Sequence, residues 1–476
     1  MDTTLTVTEG HWKAVQDALQ DVTTEHMAVA GAGLSESDDG CRFLARRLHL
    51  PGEEDYDFQS AGGVRLTADA VAEIMTDLHE HPVLVDMHNH PTANPRFSST
   101  DDDGARVQYE LLQDFHPGAV LAQLVFGGPN GGFQGRYTEP GLYPEWKSID
   151  TVEVIGQEDG ISRHLPWDVH GNQDSLAERW TRGRHVRTIP IIGDVSLHEI
   201  AKLRLGIVGL GGTGSIFLQQ AKFYFPRLTL VDDDHVEESN MGRLFGATRQ
   251  DATGMAPKAK VAARELRRFD PEVEVETVPD RFPSPRAKEA LKGCDVIACC
   301  VDNDRARYRL AEFCGRHMKV LVEMGSGLQM EDGDVTSVGC QSRLQVPGGP
   351  CLSCLNLRQD TIEFGVTIES KRESGYIEDS DLTPGEVVTT NSTAATLSMR
   401  NLLALLGGHL PRPVPTYVFY DEMEPLIMDL TDQYPAREEC VICSEANDDS
   451  VFGWGDQLPD RLQIADPPQS PEEILQ

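Results

Sequence analysis

Residues 205–215 read Leu-Gly-Ile-Val-Gly-Leu-Gly-Gly-Thr-Gly-Ser, and this stretch decides the fold of the larger part of the chain. The apolar run Leu205–Val208 has the length of a buried strand. It is followed by a turn that carries Gly209, Gly211, Gly212 and Gly214. Glycine lets the backbone approach phosphate oxygens closely, and the helix that follows offers free amide hydrogens to an anion. The stretch therefore predicts a strand, a phosphate-binding turn and a helix.

The same alternation continues downstream. A helix is predicted over Thr213–Phe225, and further apolar strands are predicted at Leu228–Val231, Val273–Val278, Val296–Cys300 and Val320–Glu323. Such an order is typical of a Rossmann-like, doubly wound α/β fold with a mostly parallel sheet. Asp232 ends the second strand, where a carboxylate can bind ribose hydroxyls. Taken alone, these features favour an NAD-dependent oxidoreductase.

Three further blocks change that interpretation. They read Leu-Val-Asp-Asp-Asp-His-Val-Glu-Glu-Ser-Asn-Met-Gly-Arg at 230–243, Gly-Met-Ala-Pro-Lys-Ala at 254–259, and Cys-Asp-Val-Ile-Ala-Cys-Cys-Val-Asp-Asn at 294–303. Together with the glycine turn they resemble the ThiF/MoeB family, which includes the activating enzymes of ubiquitin. The resemblance covers about residues 195–445. It implies a fold that binds ATP and adenylates a carboxylate.

The resemblance also assigns roles to single residues. It implies that Asn240, Arg243 and Lys258 contact the phosphates of ATP and that Asp302 holds Mg²⁺. The glycines of the turn, Asp232 and Asp234 complete the implied nucleotide site. Attack on the α-phosphate concentrates negative charge, so cations and a metal ion are needed there. The alternative for Arg243 and Lys258 is that they are solvated surface charges.

A second site is indicated by residues 88–101, His-Asn-His-Pro-Thr-Ala-Asn-Pro-Arg-Phe-Ser-Ser-Thr-Asp. Side chains alternate along a strand, so His88 and His90 project to one side, as two zinc ligands should. Asp101 can complete a three-ligand site whose fourth position holds water, as in catalytic zinc. A lone His-x-His pair is more often surface decoration. Ser-x-x-Asp is also a common helix cap, and Ser99 with Asp102 would serve equally well.

The whole string resembles the JAMM (JAB) metalloprotease signature: His-x-His-Pro, seven residues between His90 and Ser98, then Ser-x-x-Asp. The resemblance covers roughly residues 1–145 and implies cleavage of an isopeptide or peptide bond after the C-terminus of a ubiquitin-like protein. It also implies that Glu25 is the general base for the zinc-bound water, with Glu36, Glu53 and Glu54 as rivals. Ser98 would donate to the oxyanion of the intermediate.

Four cysteines form two Cys-x-x-Cys pairs, Cys351 with Cys354 and Cys440 with Cys443, separated by 85 residues. A full set of four thiolates closes a tetrahedral zinc site, so we expect a structural zinc ion. A thioredoxin-like redox pair is the alternative, but its usual fold context is missing. Many ThiF/MoeB members carry such a site, which supports the zinc interpretation by resemblance.

Two features depart from the ubiquitin-activating branch. That branch usually carries a thioester-forming cysteine between the zinc pairs, and here the sequence has none between Cys354 and Cys440. Cys340 is the remaining candidate outside the predicted core elements, so the adenylate is expected to pass to a separate conjugating enzyme or to a sulfur donor. The arginine that the family supplies to ATP from a partner subunit also lacks its usual setting. Arg184 or Arg187 is the expected substitute in a homodimer.

The composition excludes some partners. With 42 basic and 77 acidic residues the net charge is −35, so nucleic acid is not an expected partner. No apolar run approaches the roughly 20 residues that span a bilayer, so no membrane segment is predicted. The N-terminus lacks a basic segment followed by an apolar core, so a cytoplasmic protein is expected. Dispersed acidity suits a salt-rich cytoplasm, although an acidic protein of an ordinary cell fits as well.

We divide the sequence into a metalloprotease domain (1–147), a connector (148–198), an adenylating domain (199–455) and a loosely ordered tail (456–476). Within the first domain, helices are predicted at 11–22, 67–81 and 100–115, and strands at 27–32, 42–50, 82–86 and 119–126.

Both predicted activities act on one C-terminal tail. The sequence therefore predicts a bifunctional enzyme of a prokaryotic ubiquitin-like conjugation system that uses ATP, Mg²⁺, one catalytic and one structural zinc. The alternatives are activation of a sulfur-carrier protein for cofactor or cysteine biosynthesis, and an inactive scaffold that binds a modifier.

Overall fold

The computed structural model describes residues 2–20, 23–91, 95–128, 132–168, 175–331, 334–357 and 388–462, with the backbone alone at 328–331 and 334–337. These residues form two large sheets. Strands between residues 2 and 164 make the first, and strands between residues 204 and 429 make the second.

The first sheet has nine strands in the order β11-β10-β1-β3-β2-β6-β7-β8-β9, and β4 with β5 forms a separate ribbon. The strands are β1 (Asp2–Thr8), β2 (Met27–Ser37), β3 (Gly40–His49), β4 (Tyr56–Ser60), β5 (Gly63–Leu66), β6 (Val83–Asn89), β7 (Val120–Phe126), β8 (Phe133–Thr138), β9 (Lys147–Ser148), β10 (Thr151–Gly156) and β11 (Gly160–His164). The helices of this region are α1 (Glu9–Ala18), α2 (Ala68–Leu78) and α3 (Ser99–Phe115).

Helices cover both faces of the first sheet. Trp12 and Val15 of α1 pack on one face with Val85 and Met87 of β6. On the other face, α2 and α3 bury Ile74, Leu78 and Leu112 against Leu84. Residues of β6 alternate between the faces, so Leu84, Asp86, His88 and His90 all point toward the α3 side. This alternation is what brings the predicted ligands to one place.

The second sheet has eight strands in the order β14-β13-β12-β15-β16-β17-β18-β19. The strands are β12 (Arg204–Val208), β13 (Arg227–Val231), β14 (Glu274–Val278), β15 (Val296–Cys299), β16 (Val320–Glu331), β17 (Asp334–Gln345), β18 (Tyr417–Asp421) and β19 (Leu426–Asp429). The first five in sheet order are parallel and the last three are antiparallel.

Helices lie on both faces of this sheet, as a doubly wound fold requires. They are α4 (Ser175–Thr181), α5 (Ile189–Ile192), α6 (Asp194–Lys202), α7 (Gly212–Ala221), α8 (Arg249–Thr253), α9 (Lys258–Phe269), α10 (Pro285–Lys292), α11 (Asp304–Arg316) and α12 (Val388–Gly407). Helices α6, α7, α9 and α12 share one apolar core, and α10 and α11 share the other with the four-cysteine cluster. The α/β fold predicted for this region is confirmed.

The connector predicted at 148–198 is not a plain linker. Strand β10 pairs with β1, and β11 pairs with β10, so residues 151–164 belong to the first sheet. Helices α4 and α6 belong instead to the core of the second sheet. Sequence reasoning missed these elements because polar residues interrupt their short apolar patterns.

Residues 447–456, which we call the strap, join the second sheet to the first. Arg46 Nε donates to the carbonyl of Phe452 at 2.8 Å, and its guanidinium lies 4.5 Å from the ring of Trp454. Gly455 bridges to Leu34 on β2. The tail predicted from residue 456 is thus held at its start, and residues 463–476 lie outside the described residues. No helix in the described part of the chain is long and apolar enough to cross a membrane.

Candidate nucleotide site and metal centres

The glycine turn lies between β12 and α7. Gly209 has φ +88°, and a Cβ there would lie 2.7 Å from the carbonyl oxygen of Cys300. A Cβ on Gly214 would lie 1.9 Å from the carbonyl oxygen of Gly209, so this residue allows the helix to pack on the turn. A Cβ on Gly211 would meet no atom within 4 Å, and no side chain caps α7. The start of α7 therefore presents backbone amides to open space.

Asp232 at the end of β13 fastens this turn. Its carboxylate accepts hydrogen bonds from the backbone N–H of Leu210 at 2.5 Å and of Asp234 at 2.8 Å. Burial raises the pKa of Asp232, while the amide of Leu210 and the charge of Lys258 act in the opposite direction. Each carboxylate oxygen keeps a lone pair for a further donor, such as a ribose hydroxyl.

A cavity of about 620 Å³ opens at the carboxyl ends of β12, β13 and β15. The carboxyl edge of a parallel sheet is where doubly wound folds bind ligands. The predicted residues that line it are Gly209, Gly211, Gly212, Asp232, Asp234, Asn240, Arg243, Lys258 and Asp302. Of the predicted set, Gly214 lies beneath the turn instead of lining the cavity.

Lys258 begins α9 and is nearly buried, with its Nζ 2.7 Å from Asp234 Oδ2. Arg243 Nη1 donates to the carbonyl of Ser239 at 2.9 Å, which places its guanidinium at the cavity wall. Asn303 caps α11 and its amide donates to Asp302 Oδ1 at 3.4 Å. The cavity thus combines cations for phosphate oxygens with exposed carboxylates for a divalent ion.

Several lining residues were missed from the sequence. They follow strand β14, lie on α11, or lie at the middle of β16: Asp280, Arg281, Phe282, Pro283, Ser284, Arg305, Arg307, Arg309, Met324, Gly325 and Ser326. The first two groups lie beyond the carboxyl end of a parallel strand or on the helix that follows it, and the third lies just past the part of β16 that pairs in parallel with β15. Their position after a strand was the sequence signal that could have identified them, because neighbouring strand ends in a parallel sheet face the same crevice.

The four cysteines meet in one buried cluster, as the sequence predicts. The Sγ atoms are separated by 3.9 Å for Cys351–Cys354, 3.5 Å for Cys351–Cys440 and 3.7 Å for Cys354–Cys443. Tetrahedral zinc with bonds of about 2.3 Å places its sulfur ligands about 3.8 Å apart. The cluster therefore fits a structural zinc ion.

His88, His90 and Asp101 also come together. His88 Nε2 lies 3.3 Å from Asp101 Oδ1, and His90 Nε2 lies 3.4 Å from Asp101 Oδ2. Ligands about 2.0–2.1 Å from a tetrahedral zinc are separated by about 3.3–3.4 Å, so the three side chains fit a single ion. Burial acts to lower the pKa of His88, but Asp101 and Asp86 raise it overall.

Ser98 and Asp101 form the cap of α3. Ser98 Oγ accepts from the Asp101 N–H at 3.2 Å, and the Asp101 carboxylate accepts from the Ser98 N–H. Asp101 can therefore cap α3 and serve as a ligand at the same time, because the cap turns its carboxylate toward both histidines. Ser99 and Asp102 do not form this cap.

Glu25 precedes β2, whose first residue Met27 is the register partner of His88. Its side chain is buried, whereas Glu36, Glu53 and Glu54 are exposed. Burial raises the pKa of Glu25, and the charges of His88 and His90 act against that rise. Of the four glutamates, Glu25 is the one placed beside the histidines.

The remaining cysteines are poor nucleophiles in this structure. Burial raises the pKa to about 12 at four of them: Cys41, Cys294, Cys299 and Cys340. It raises the pKa of Cys300 and Cys314 well above the usual value. Cys340, the candidate for a thioester, is 1% exposed. A thioester is disfavoured at four of them by burial, and at the partly exposed Cys41 and Cys300 by the raised thiol pKa.

Of the two candidate arginines, Arg184 is engaged within its own chain. Its guanidinium pairs with Asp270 and stacks 3.9 Å from the ring of Trp180. Arg187 is exposed. If a partner subunit receives an arginine from this segment, Arg187 is the better placed.

A parallel sheet with a glycine turn, an acidic residue after the second strand and a cationic cavity defines a nucleotide-binding protein of the doubly wound α/β class. Within that class, the chain belongs to the ThiF family, which matches residues 183–442, more than half of its length. The match begins after the first sheet, so it does not extend to His88, His90 and Asp101.

Three relatives illustrate the family. The SAMP-activating enzyme E1 of Haloferax volcanii is 29% identical over 261 residues, which are 55% of this chain and 87% of that protein. The sulfur carrier protein adenylyltransferase of Thermus thermophilus is 29% identical over 273 residues, 56% of this chain and 93% of that protein. The tRNA threonylcarbamoyladenosine dehydratase of Escherichia coli is 29% identical over 204 residues, 42% of this chain and 73% of that protein.

Proposed function

We propose that this chain uses ATP to adenylate the C-terminal carboxylate of a ubiquitin-like or sulfur-carrier protein. The observation that carries the proposal is the cavity at the carboxyl edge of the second sheet, where the glycine turn, Lys258, Arg243 and Asp302 meet. The match with this chain covers 87% and 93% of two relatives. These two are named for SAMP activation and for sulfur-carrier adenylylation.

In the proposed reaction, a carboxylate oxygen of the tail attacks the α-phosphorus of ATP. A bond from the tail carboxylate to phosphorus forms, the bond between the α-phosphorus and the bridging oxygen breaks, and pyrophosphate leaves. The amides at the start of α7, with Arg243 and Lys258, balance the charge on the phosphates. Lys258 must leave Asp234 to reach them, and Mg²⁺ held by Asp302 would supply further positive charge.

The activated tail then needs an acceptor. The raised thiol pKa of the six cysteines outside the four-cysteine cluster, four of which are buried, favours an acceptor on another molecule, and so does the absence of cysteine between Cys354 and Cys440. A thiol of a conjugating enzyme displaces AMP and gives a thioester, whereas a donor of sulfide-level sulfur displaces AMP and gives a thiocarboxylate. Mass spectrometry of the tail distinguishes the two, because a thiocarboxylate replaces one oxygen by sulfur.

ATP–pyrophosphate exchange tests the adenylation. The purified chain is mixed with each small protein of the same organism that ends in two glycines, and with the same protein lacking them. We expect exchange that needs the intact tail and falls at least about 100-fold in Asp302→Ala. A folded, zinc-loaded protein without exchange on any such tail would refute the proposal.

As a second function, we propose that the first sheet carries a zinc metallopeptidase site for the same tail. The fit of His88, His90 and Asp101 to tetrahedral zinc favours it, and so does the buried Glu25 beside them. Bound zinc would supply an acidic water and polarise the scissile carbonyl. Glu25 would take the proton of that water, and Ser98 would donate to the oxyanion.

Zinc content and peptide cleavage test this site together. We expect two zinc ions per wild-type chain and one in His88→Ala. Glu25→Gln should keep both ions yet lose cleavage of a fusion in which a reporter follows the modifier tail. One zinc ion in the wild type, or unchanged cleavage in Glu25→Gln, would remove the metallopeptidase proposal without touching adenylation.

A further inference from the structure

A row of polar side chains crosses the first sheet behind the candidate zinc ligands. Asp86 on β6, Gln123 on β7 and Arg136 on β8 are direct register partners. Gln123 Nε2 donates to Asp86 Oδ2 at 3.3 Å, and Arg136 Nε donates to Gln123 Oε1 at 3.0 Å. Because strand side chains alternate, Asp86 shares its face with His88. The row therefore lies on the ligand side of the sheet.

Helix α3 is tied to this row at two points. Gln108 Nε2 donates to Asp86 Oδ2 at 3.1 Å, and Gln108 Oε1 accepts from Gln123 Nε2 at 2.9 Å. Nearer the start of the helix, Arg136 Nη1 lies 2.6 Å from Asp102 Oδ1. The two points are six residues, or about 9 Å, apart along the helix axis. A helix held at two levels cannot easily rotate or slide on the sheet.

Arg136 is itself held rigidly. Its guanidinium lies 3.9 Å from the ring of Phe97 and 4.1 Å from the ring of Trp146, and its side chain is 12% exposed. A planar cation between two aromatic rings, with directed hydrogen bonds on its edge, has little freedom. It can therefore fix the position of the helix turn that it contacts.

We infer that Arg136 is a positioning residue of the proposed metal centre, and this inference rests on the metallopeptidase proposal. Asp102 adjoins Asp101 in the first turn of α3, so the ion pair with Arg136 sets where the Asp101 carboxylate stands. That carboxylate must stay 3.3–3.4 Å from both histidine nitrogens to share one zinc ion. Without Arg136, the start of α3 keeps the Ser98 cap but loses its tie to the sheet.

The test measures zinc affinity of the full chain by competition with a chelator, and the visible spectrum of Co²⁺ bound at the same site. We expect Arg136→Gln and Asp102→Asn to weaken zinc binding about 10- to 100-fold, the range found when groups that orient ligands are removed. Their Co²⁺ spectra should move away from the tetrahedral form. Arg136→Lys should restore only part of the affinity, because an ammonium has no planar face to stack on the rings and no second nitrogen to reach both Gln123 and Asp102.

Arg106→Gln is the matched control, since Arg106 is 57% exposed on the same helix and pairs with the exposed Glu110. It should bind zinc within about twofold of wild type. Asp102 is 59% exposed, so its variant tests the contact even if Arg136→Gln fails to fold. Wild-type zinc affinity and Co²⁺ spectra in both Arg136→Gln and Asp102→Asn would overturn the inference. A wild-type chain with zinc only at the cysteines would overturn the metallopeptidase proposal as well.

Discussion

Arg42 Nη2 lies 2.6 Å from Asp295 Oδ1, and this contact joins a strand of the first sheet to the residue that precedes β15 in the second. Arg42 Nη1 also lies 2.5 Å from Glu153 Oε1, and Arg163 contacts both carboxylates at 2.9 and 2.7 Å. Glu153 and Asp295 are nearly fully buried. Two cations and two anions therefore balance at the centre of the interface between the sheets.

This interface fixes the direction in which the nucleotide cavity faces. Asp295 Oδ2 accepts from the N–H of Arg204, the first residue of β12, so the charge network lies at the amino ends of β12 and β15. The cavity lies at the carboxyl ends of the same strands. The adenylation site that we propose thus opens away from the first sheet.

The candidate zinc site lies at the start of β2, away from the charge network. Near the end of β2, Ser35 Oγ lies 2.9 Å from Nδ1 of His317, the residue that follows α11. At the start of β2, Met27 is the register partner of His88. Eight residues of strand correspond to about 26 Å. The candidate zinc site therefore lies well along β2 from this contact, and the nucleotide cavity is lined by residues of the second region.

The charge network should be important for stability. Asp295→Ala leaves two partly buried arginines beside one carboxylate, and removing one member of a buried pair costs up to about 3–5 kcal/mol. Denaturant unfolding at pH 7 measures this loss. Asp39→Asn is the control, since Asp39 is 63% exposed and 3.7 Å from Arg204, and it should change stability by less than about 0.5 kcal/mol. Equal effects of the two changes would contradict the prediction.

Lys319 should make stability depend on alkaline pH. Burial, with a contribution from Arg42, lowers its pKa to about 7, and its Nζ donates to the carbonyl of Lys292 at 2.7 Å. Between about pH 7 and the ordinary lysine value near 10.4, the unfolded chain binds more protons than the folded one. The free energy of unfolding should therefore rise with pH, by at most about 1.4 kcal/mol per unit. Lys319→Met should flatten this slope, whereas exposed Lys260→Met should not.

The sequence predicts the parts of the fold that local pattern determines. Local pattern alone predicts the strands formed by the apolar runs, the turn at Gly209 and the spacing of His88 and His90. The tie from Arg136 to Asp102 and the network around Asp295 need long-range information, because Arg136 and Asp102 are 34 residues apart and Arg42 and Asp295 are 253 residues apart. Charged residues at such spacing look like solvated surface until the sheets are assembled.

Lys258 should be required for adenylation but not for folding. Lys258→Met removes one cation from the phosphate site, and losing a single preorganised donor lowers kcat about 10²- to 10³-fold. Lys260→Met, two residues along α9 and exposed, is the matched control. ATP–pyrophosphate exchange measures both. Exchange in Lys258→Met within tenfold of the control would show that Lys258 pairs with Asp234 but does not stabilise the phosphates.

The four-cysteine cluster should hold the strap on the first sheet. Cys443 lies four residues before the strap begins, so zinc loss frees the segment that carries the Arg46 and Leu34 contacts. Cys440→Ser should lose one zinc ion per chain and about 3–5 kcal/mol, which lowers Tm by roughly 10 °C. Hydrogen exchange should speed up at residues 447–456 and at Leu34. Unchanged exchange there, with one zinc ion lost, would show that the strap is held independently of the metal.

We predict that a tail is released between cleavage and activation, because the proposed sites lie on different sheets and the nucleotide cavity opens away from the first sheet. His88→Ala should keep pyrophosphate exchange, and Asp302→Ala should keep cleavage, each within about twofold of wild type. The direct experiment supplies labelled modifier precursor with a tenfold excess of unlabelled modifier that is already processed, and then measures the label in the adenylate. Release mixes the two pools, so the label should be diluted in proportion to the excess. Adenylate that keeps the full label of the precursor would show that the tail passes from one site to the other without leaving the protein.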